Sequence, residues 1–258
     1  MCKVLDVPRS TFYYKRSPRK PDTIFENKVI SEFRKSRNNY GTRKIKKALN
    51  KEKIIASRRR IGKVMKKYAL VSNYTLKLAK KKKDKVNEDN LPNLVNREFN
   101  NRTPLEVVVS DLTYVRVAGG WNYICLLLDI SCRRILGTAV GADKSVKIVR
   151  SAFMEIKDDL RKIKIFHTDR GSEFKNKVVE QILDSFGIER SLSAKGTPAD
   201  NAVAEAMYSI VKTEFAFGRE FASLSELEVE WFDYVNWYNN VRIHGSLDYR
   251  TPAEAAGV

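Results

Sequence analysis

The run Leu105-Glu106-Val107-Val108-Val109-Ser110-Asp111-Leu112-Thr113-Tyr114-Val115 decides how this sequence reads, because it is β-branched, largely apolar and carries a carboxylate in its middle. Such residues suit a pleated, buried surface. A charged group inside the run is costly unless it is paired or binds a cation. Working outward, Ala118-Gly119-Gly120 reads as a hairpin turn, residues 121–130 as a second strand and residues 134–140 as a third. Residues 144–160 repeat apolar side chains at helical spacing through Val146, Val149, Ala152, Phe153 and Ile156. A short buried strand over 163–167 follows, then a helix over 176–186, a short strand opening at Gly187-Ile188, a loop over 193–199, and helices over 200–217 and 224–238. Three antiparallel strands followed by helix, strand, helix, strand and helix predict an α/β fold, a mixed five-stranded sheet with flanking helices.

The first third of the chain differs in composition. The formal net charge is +18, and residues 1–90 hold 28 Lys and Arg against 8 Asp and Glu, whereas residues 91–258 hold 21 against 23. Segregated basic charge on helical patterns points to a polyanion, of which nucleic acid is the commonest; a solubilising surface is the bland alternative. Residues 1–14 suggest one short helix with Leu5, Val7, Phe12 and Tyr13 as apolar contacts. Ile24, Phe25, Val29, Ile30 and Phe33 mark a helix, Tyr40-Gly41 a break, and Ile45, Ala48 and Leu49 a second helix. Ser57 is a good N-cap for a third, with Ile61, Val64, Met65 and Tyr68 on its apolar stripe. Arg58, Arg59, Arg60, Lys63, Lys66 and Lys67 occupy the rest of that helix, as a helix-turn-helix recognition helix requires. The expected organisation is a helical DNA-binding region over 1–76, a basic and polar linker over 77–103, a catalytic core over 104–220 and a C-terminal helical extension over 221–258.

Three cysteines (Cys2, Cys125, Cys132) without a CxxC pair, and only His167 and His244, argue against a disulfide framework and against zinc. No segment reads as a signal peptide or a membrane span, so the expected location is the cytoplasm, on DNA.

Several acids compete for a functional role. Asp169 ends the short strand in His167-Thr168-Asp169-Arg170-Gly171-Ser172-Glu173-Phe174, and strand ends followed by glycine are where α/β proteins present functional groups. In the predicted sheet its strand lies beside that of Asp111. Two carboxylates on neighbouring central strands repel unless a cation sits between them. Glu205 lies on the long helix with Lys212 seven residues later on the same face. Asp129 reads as a turn or structural acid and Asp200 as an N-cap. His167 reads as a structural histidine before a ligand. Asn201 is read equally as a cap and as a contact to DNA or to the active-site edge. Arg242 and His244 are assigned to DNA backbone or to local hydrogen bonding without preference. Lys195 is a candidate DNA contact. Trp231, Phe232, Tyr234, Trp237 and Tyr238 form a packing face.

Asp111, Asp169 and Glu205, with 35 residues between the last two and Lys212 seven beyond, resemble the acidic signature of retroviral integrases and insertion-sequence transposases. The words Ser110-Asp111-Leu112-Thr113-Tyr114, His167 to Phe174, Gly196 to Glu205, Asp129 to Arg134 and Tyr238 to His244 are similar to those of OrfB-type insertion-sequence transposases. The segment Tyr40-Gly41-Thr42-Arg43-Lys44-Ile45 resembles that family's helix-turn-helix region. One departure is Val107 and Val108, where such transposases often carry Trp before the first Asp.

The resemblance implies a ribonuclease-H-like, integrase-type core, with Asp111, Asp169 and Glu205 catalytic and holding two Mg²⁺ (or Mn²⁺) ions. Asp111 would bridge the ions, since oxygen ligands suit these metals. It also implies cleavage of element-end DNA and transfer of the freed 3′-hydroxyl into target DNA, by a homo-oligomer on DNA in a bacterial cell. A small upstream-frame product would be its fusion segment or partner. The expected DNA contacts are Arg58, Arg59, Arg60, Lys63, Lys67, Lys195, Lys212 and Arg242. Two other readings stay open: a catalytically silent DNA-binding regulator of transposition, and a plain ribonuclease-H-type nuclease.

Overall fold

A computed structural model describes residues 4, 8–14, 22–75, 92–99, 102–169, 171–194 and 198–258. A five-stranded sheet has the order β3-β2-β1-β4-β5, formed by β1 (Val107–Val117), β2 (Gly120–Asp129), β3 (Ile135–Gly141), β4 (Ile165–Thr168) and β5 (Glu189–Leu192). The first three strands are antiparallel, and β4 and β5 run parallel to β1 and to each other. The β1–β2 hairpin turns at Ala118 (φ 47°) and Gly119 (φ 78°). Two consecutive left-handed residues match the twist of the flanking strands.

Strand alternation sends Val107, Val109, Val115 and Val117 to one face and Val108 to the other. The first face is covered by α7 (Ala202–Val211) and α8 (Leu224–Asn240), which contribute Met207, Tyr208, Val211, Trp231 and Tyr234. The second is covered by α5 (Val146–Met154) and α6 (Lys177–Phe186), through Val149, Phe153, Val179 and Leu183. Each such side chain contributes roughly 1.5–3 kcal/mol on full burial. On the first face the Trp231 indole N–H also donates to Thr138 Oγ1 at 2.7 Å, so its polar edge is satisfied. The packing face on α8 is as expected except that Phe232 stays exposed.

Two expected helices are shorter in the structure. The helix expected over 144–160 ends at Met154. Beyond it, Asp158 pairs with Arg134 at 2.6 Å and Asp159 caps the 3-10 turn Leu160–Lys162. Local side-chain partners thus compete with continued helix. The helix expected over 200–217 begins after a 3-10 turn, Pro198–Asn201, and finishes as a π-helical turn, Lys212–Ala216.

The helical region contains α1 (Arg9–Tyr13), α2 (Thr23–Lys35), α3 (Thr42–Lys51) and α4 (Arg58–Lys67). The Ser57 hydroxyl accepts from Arg60 N at 3.2 Å and caps α4 as expected. Phe25, Val29, Phe33, Ile45, Leu49, Ile61 and Val64 form a separate core, which Ile243 from the C-terminal segment enters. That segment, with α9 (Pro252–Ala256), is tied to α3 by Lys51–Glu254 at 3.0 Å and by Lys47 over Tyr249. So residues 241–258 extend the helical region as well as the catalytic one. Val95 is fully buried in the core under α7 and α8, so this part of the expected linker packs against the sheet domain.

Candidate active site

The parallel register of β1 and β4 pairs Ser110 with Thr168. Asp111 is the next residue of β1 and Asp169 is the residue that follows the end of β4, so the register brings the two acids near enough for the charge of Asp169 to raise the Asp111 pKa. By strand alternation Asp111 is on the face that also carries Val109 and is covered by α7. Each carboxylate accepts one backbone N–H: Asp111 Oδ1 from Leu112 at 2.7 Å and Asp169 Oδ1 from Gly171 at 2.9 Å. Burial raises the pKa of Asp111, the neighbouring Asp169 and Glu173 raise it further, and Lys212 opposes them. Burial likewise raises Asp169, against the Gly171 N–H and Lys144. Burial is the main cause in both, and the repulsion between the two acids adds to it at Asp111.

A third acid, Glu173, lies near enough to the pair to raise the Asp111 pKa. Its side chain is 2% exposed and pairs with Lys144 at 3.3 Å. It folds back over Gly171, where an ideal Cβ would lie 2.5 Å from Glu173 Oε1, so the glycine leaves the room the carboxylate occupies. Lys144 feels Glu173, Asp169 and Asp111, which outweigh its burial and hold its pKa above the ordinary lysine range. Sequence reasoning assigned no role to Glu173 or Lys144. The available signal was Glu173 standing two residues after a glycine in the Asp169 word.

Glu205 lies in the first turn of α7 and is exposed. Among the described residues no three His, Cys, Asp or Glu side chains are gathered in an arrangement that holds a metal ion. The structure thus brings Asp111 and Asp169 together, and Glu205 stands apart from them on the helix that covers their face. Tyr208, one turn after Glu205, donates its hydroxyl to the Asp111 carbonyl and so pins α7 to β1. Lys212, at the end of α7, comes within 5.6 Å of the Tyr114 ring and close enough to Asp111 to lower its pKa.

Two of the other candidates are fixed as structural groups. Asp129 is buried and accepts from Leu105 N, Ser131 N and Ser131 Oγ. His167 is buried between Ser191 Oγ at 2.8 Å and Ser193 Oγ at 3.1 Å, and burial pushes its pKa down to about 4. Asp200 does not cap α7. It bonds Arg97 Nε at 2.7 Å and Ala194 N at 3.0 Å, because the 3-10 turn moves the helix start to Asn201.

Among the candidate DNA contacts, Arg58, Arg59 and Lys63 are exposed on α4. Arg60 pairs with Asp22 and stacks 3.9 Å from the Phe25 ring, and Lys67 pairs with Glu26 at 2.7 Å, so both also brace α4 against α2. Lys195 lies outside the described residues. Arg242 is buried, which removes it from the surface a DNA backbone reaches. Its guanidinium clasps Glu214 through Nε at 3.0 and 2.8 Å and Nη2 at 2.7 Å, and also reaches Tyr74 Oη and His244. Burial, then Arg242, pushes the His244 pKa down to about 2. Glu214 sits in the π-helical turn after α7, Tyr74 at the end of the helical region and Arg242 after α8, so one buried ion pair joins all three segments.

The comparisons with known proteins agree with this architecture. Residues 101–198 and 186–252 each match a family described as integrase core domain, and residues 21–77 match one described as HTH-like domain. The transposase for insertion sequence element IS904 from Lactococcus lactis subsp. lactis (strain IL1403) is 31% identical over 90% of this chain and 92% of its own length. The putative transposase InsK for insertion sequence element IS150 from Escherichia coli (strain K12) is 27% identical over 98% of this chain and 91% of its own. Among solved structures, the simian T-cell lymphotropic virus intasome superposes with a TM-score of 0.50 at 12% identity, over 83% of this chain and 70% of that one. At that identity the likeness is one of fold.

Proposed function

Since the chain belongs to the insertion-sequence transposases with an integrase core, we propose that it cleaves the DNA ends of its element and transfers the freed 3′-hydroxyl into DNA, with Asp111, Asp169 and Glu205 as its catalytic acids. The observation that carries this reading is the parallel β1–β4 register, which sets two half-buried carboxylates side by side beneath α7.

The donor chemistry fits a hard divalent cation. Asp111 and Asp169 offer oxygen only, each has one oxygen spent on a backbone N–H, and the charge of Asp169 adds to burial in raising the Asp111 pKa, a repulsion that a cation between them would offset. Asp111, Asp169 and Glu205 would hold Mg²⁺ or Mn²⁺, two ions in all. When bound, such ions offset the repulsion between an anionic nucleophile and an anionic phosphodiester and stabilise the leaving oxygen. The chain's own residues do the positioning. The Tyr208 hydroxyl locks α7 to β1 at Asp111 itself, which fixes the helix carrying Glu205 one turn before. In this reading Glu205, exposed on that helix, turns its side chain toward the pair when metal and DNA are bound. The Lys212 ammonium, on the same helix, would take a phosphate beside the scissile one.

In this reading residues 1–76 bind DNA through α4, residues 77–103 connect, residues 104–220 form the catalytic unit, and residues 221–258 brace it. The protein works as a homo-oligomer on element-end and target DNA, with an upstream-frame product as a further partner, inside a bacterial cell. Among the described residues no helix is long and apolar enough to cross a membrane.

The exposed place of Glu205 is also what a silent DNA-binding regulator would show. A cleavage and strand-transfer assay on element-end DNA separates the two. The parent chain should nick and join only with Mg²⁺ or Mn²⁺. Asp111→Asn, Asp169→Asn and Glu205→Gln should each lower both steps by about 100-fold or more while DNA affinity is kept. Cutting and joining by these variants at parental rates would remove the catalytic assignment; a parent that binds DNA and never cuts would be the regulator.

A further inference from the structure

Between the helical region and the sheet domain lies an open cleft of about 600 Å³, lined by Arg34, Arg37, Asn38 and Arg219 and by Glu214 and Phe217. Its three guanidinia come from three places: the last turn of α2, the turn that follows it, and the chain after the π-helical turn. Arg37 and Asn38 both adopt left-handed backbone, φ 52° and 62°, a conformation uncommon for residues with a side chain and found often at functional sites. Asn73 holds that turn in place. Its backbone N–H donates to Asn38 O at 3.0 Å and its Nδ2 to Arg37 O at 3.2 Å. The Arg37 guanidinium is then fixed over the Trp237 ring at 5.2 Å, with Nη2 on Asp233 at 2.7 Å. Arg219 is fixed in the same manner, against the Phe221 ring at 4.9 Å and on Glu230 at 2.6 Å.

Among the described residues both arginines hydrogen-bond through Nη2 alone, Arg37 to the carboxylate and backbone carbonyl of Asp233 and Arg219 to the Glu230 carboxylate, so the rest of each donor fork is left over. Arg34 is exposed and has no side-chain partner among the described residues. The acid in the wall, Glu214, is neutralised by Arg242. The wall begins at Thr213, the residue after Lys212, so the cleft starts where the helix facing the acid pair ends.

We propose that this cleft is a binding site for the phosphodiester backbone of DNA, with Arg34, Arg37 and Arg219 receiving phosphates where the strand passes from the helical region to the catalytic face. Planar guanidinium forks match phosphate oxygens, and two of the three are already held in orientation. The proposal rests on the DNA-transposing function argued above.

The test is the salt dependence of binding by the full-length chain, read by fluorescence anisotropy on a labelled duplex of about 30 base pairs. Loss of one phosphate contact lowers the slope of log K against log salt by about 0.9. Arg34→Gln should show that loss, and Arg34→Gln combined with Arg219→Gln about twice as much, whereas Lys162→Gln, an exposed lysine outside the cleft, should keep the parental slope. Arg34→Gln is the deciding variant, because with no side-chain partner it should leave the unfolding temperature unchanged. A parental slope in Arg34→Gln overturns the site, as does an equal loss in Lys162→Gln, which would mean diffuse charge. In either case steep salt dependence in the parent leaves the DNA-transposing reading standing. A parent with no salt-dependent affinity for the duplex overturns both.

Discussion

Replacing Glu214 by Gln keeps the side-chain volume and deletes one charge from the junction of three segments. The pair is deeply buried, with side-chain exposures of 0% for Glu214 and 3% for Arg242. Three N–H···O contacts of 2.7–3.0 Å join them, and Tyr74 and Tyr234 donate further hydrogen bonds to the same carboxylate. A Gln amide has one acceptor oxygen and turns an NH₂ toward a guanidinium that only donates. Arg242 would then be a buried cation without its counter-charge. Removing one partner of a buried pair costs about 3–5 kcal/mol, a large share of a stability of about 5–15 kcal/mol. With a urea slope of about 2 kcal/mol per molar, the unfolding midpoint should fall by roughly 2 M. Glu214→Leu with Arg242→Met removes both charges together and should recover most of the loss. A Glu214→Gln midpoint within about 0.5 M of the parent, or a double variant worse than the single one, would refute the view that this pair locks the helical region to the core.

Other consequences follow from the same physics. Asp111→Asn should stabilise the metal-free protein by on the order of 1 kcal/mol near neutral pH, because it removes a carboxylate whose pKa is raised by burial and by Asp169. A raised carboxylate pKa makes the folded parent lose stability as pH rises above the usual range near 4, so the gain should vanish toward about pH 4. Urea unfolding at the two pH values checks this, and an unchanged midpoint at neutral pH would contradict it. Added Mg²⁺ should raise the unfolding temperature of the parent and not of this variant. His167 is held neutral, so the unfolded chain takes up a proton below about 6.5 that the folded chain refuses, and stability should fall from about pH 6.5 toward 4. His167→Gln should flatten that part of the stability profile, and parallel profiles would show that His167 titrates normally. Gly137→Ala would put a Cβ 2.1 Å from the Ala152 carbonyl oxygen, forcing β3 and α5 apart. A loss of about 1–3 kcal/mol is expected, and parental stability would show that the two elements are not closely packed.

Period and composition carried the sheet a long way. The apolar run around Asp111, the Ala118-Gly119 turn and the order of strands and helices are local signals, and they led to a mixed five-stranded sheet, whose spatial order β3-β2-β1-β4-β5 the structure supplies. The pairing of Asp111 with Asp169 was legible because both lie at corresponding points of strands that the topology makes neighbours. What escaped depends on long-range partners. Arg242 looks like a surface cation in the sequence, and only the fold brings Glu214, 28 residues away, against it. Helix ends at Met154 and Val211 were missed because acidic side chains and a π-helical turn, which leave no period in the pattern, end the regular geometry. The Lys144–Glu173 pair has the same origin, a loop and a 3-10 turn meeting at one end of the sheet.

The central claim is that Asp111, Asp169 and Glu205 act together on a divalent ion at a DNA phosphate. Anomalous diffraction from crystals of the protein bound to element-end DNA and soaked in Mn²⁺ tests it most directly. The account predicts a manganese peak within about 2.3 Å of oxygens from both Asp111 and Asp169, with Glu205 turned inward to ligate there and a phosphate on the same ion. Density without manganese between the two aspartates, or manganese bound there with Glu205 still turned to solvent beside a seated DNA end, would contradict it.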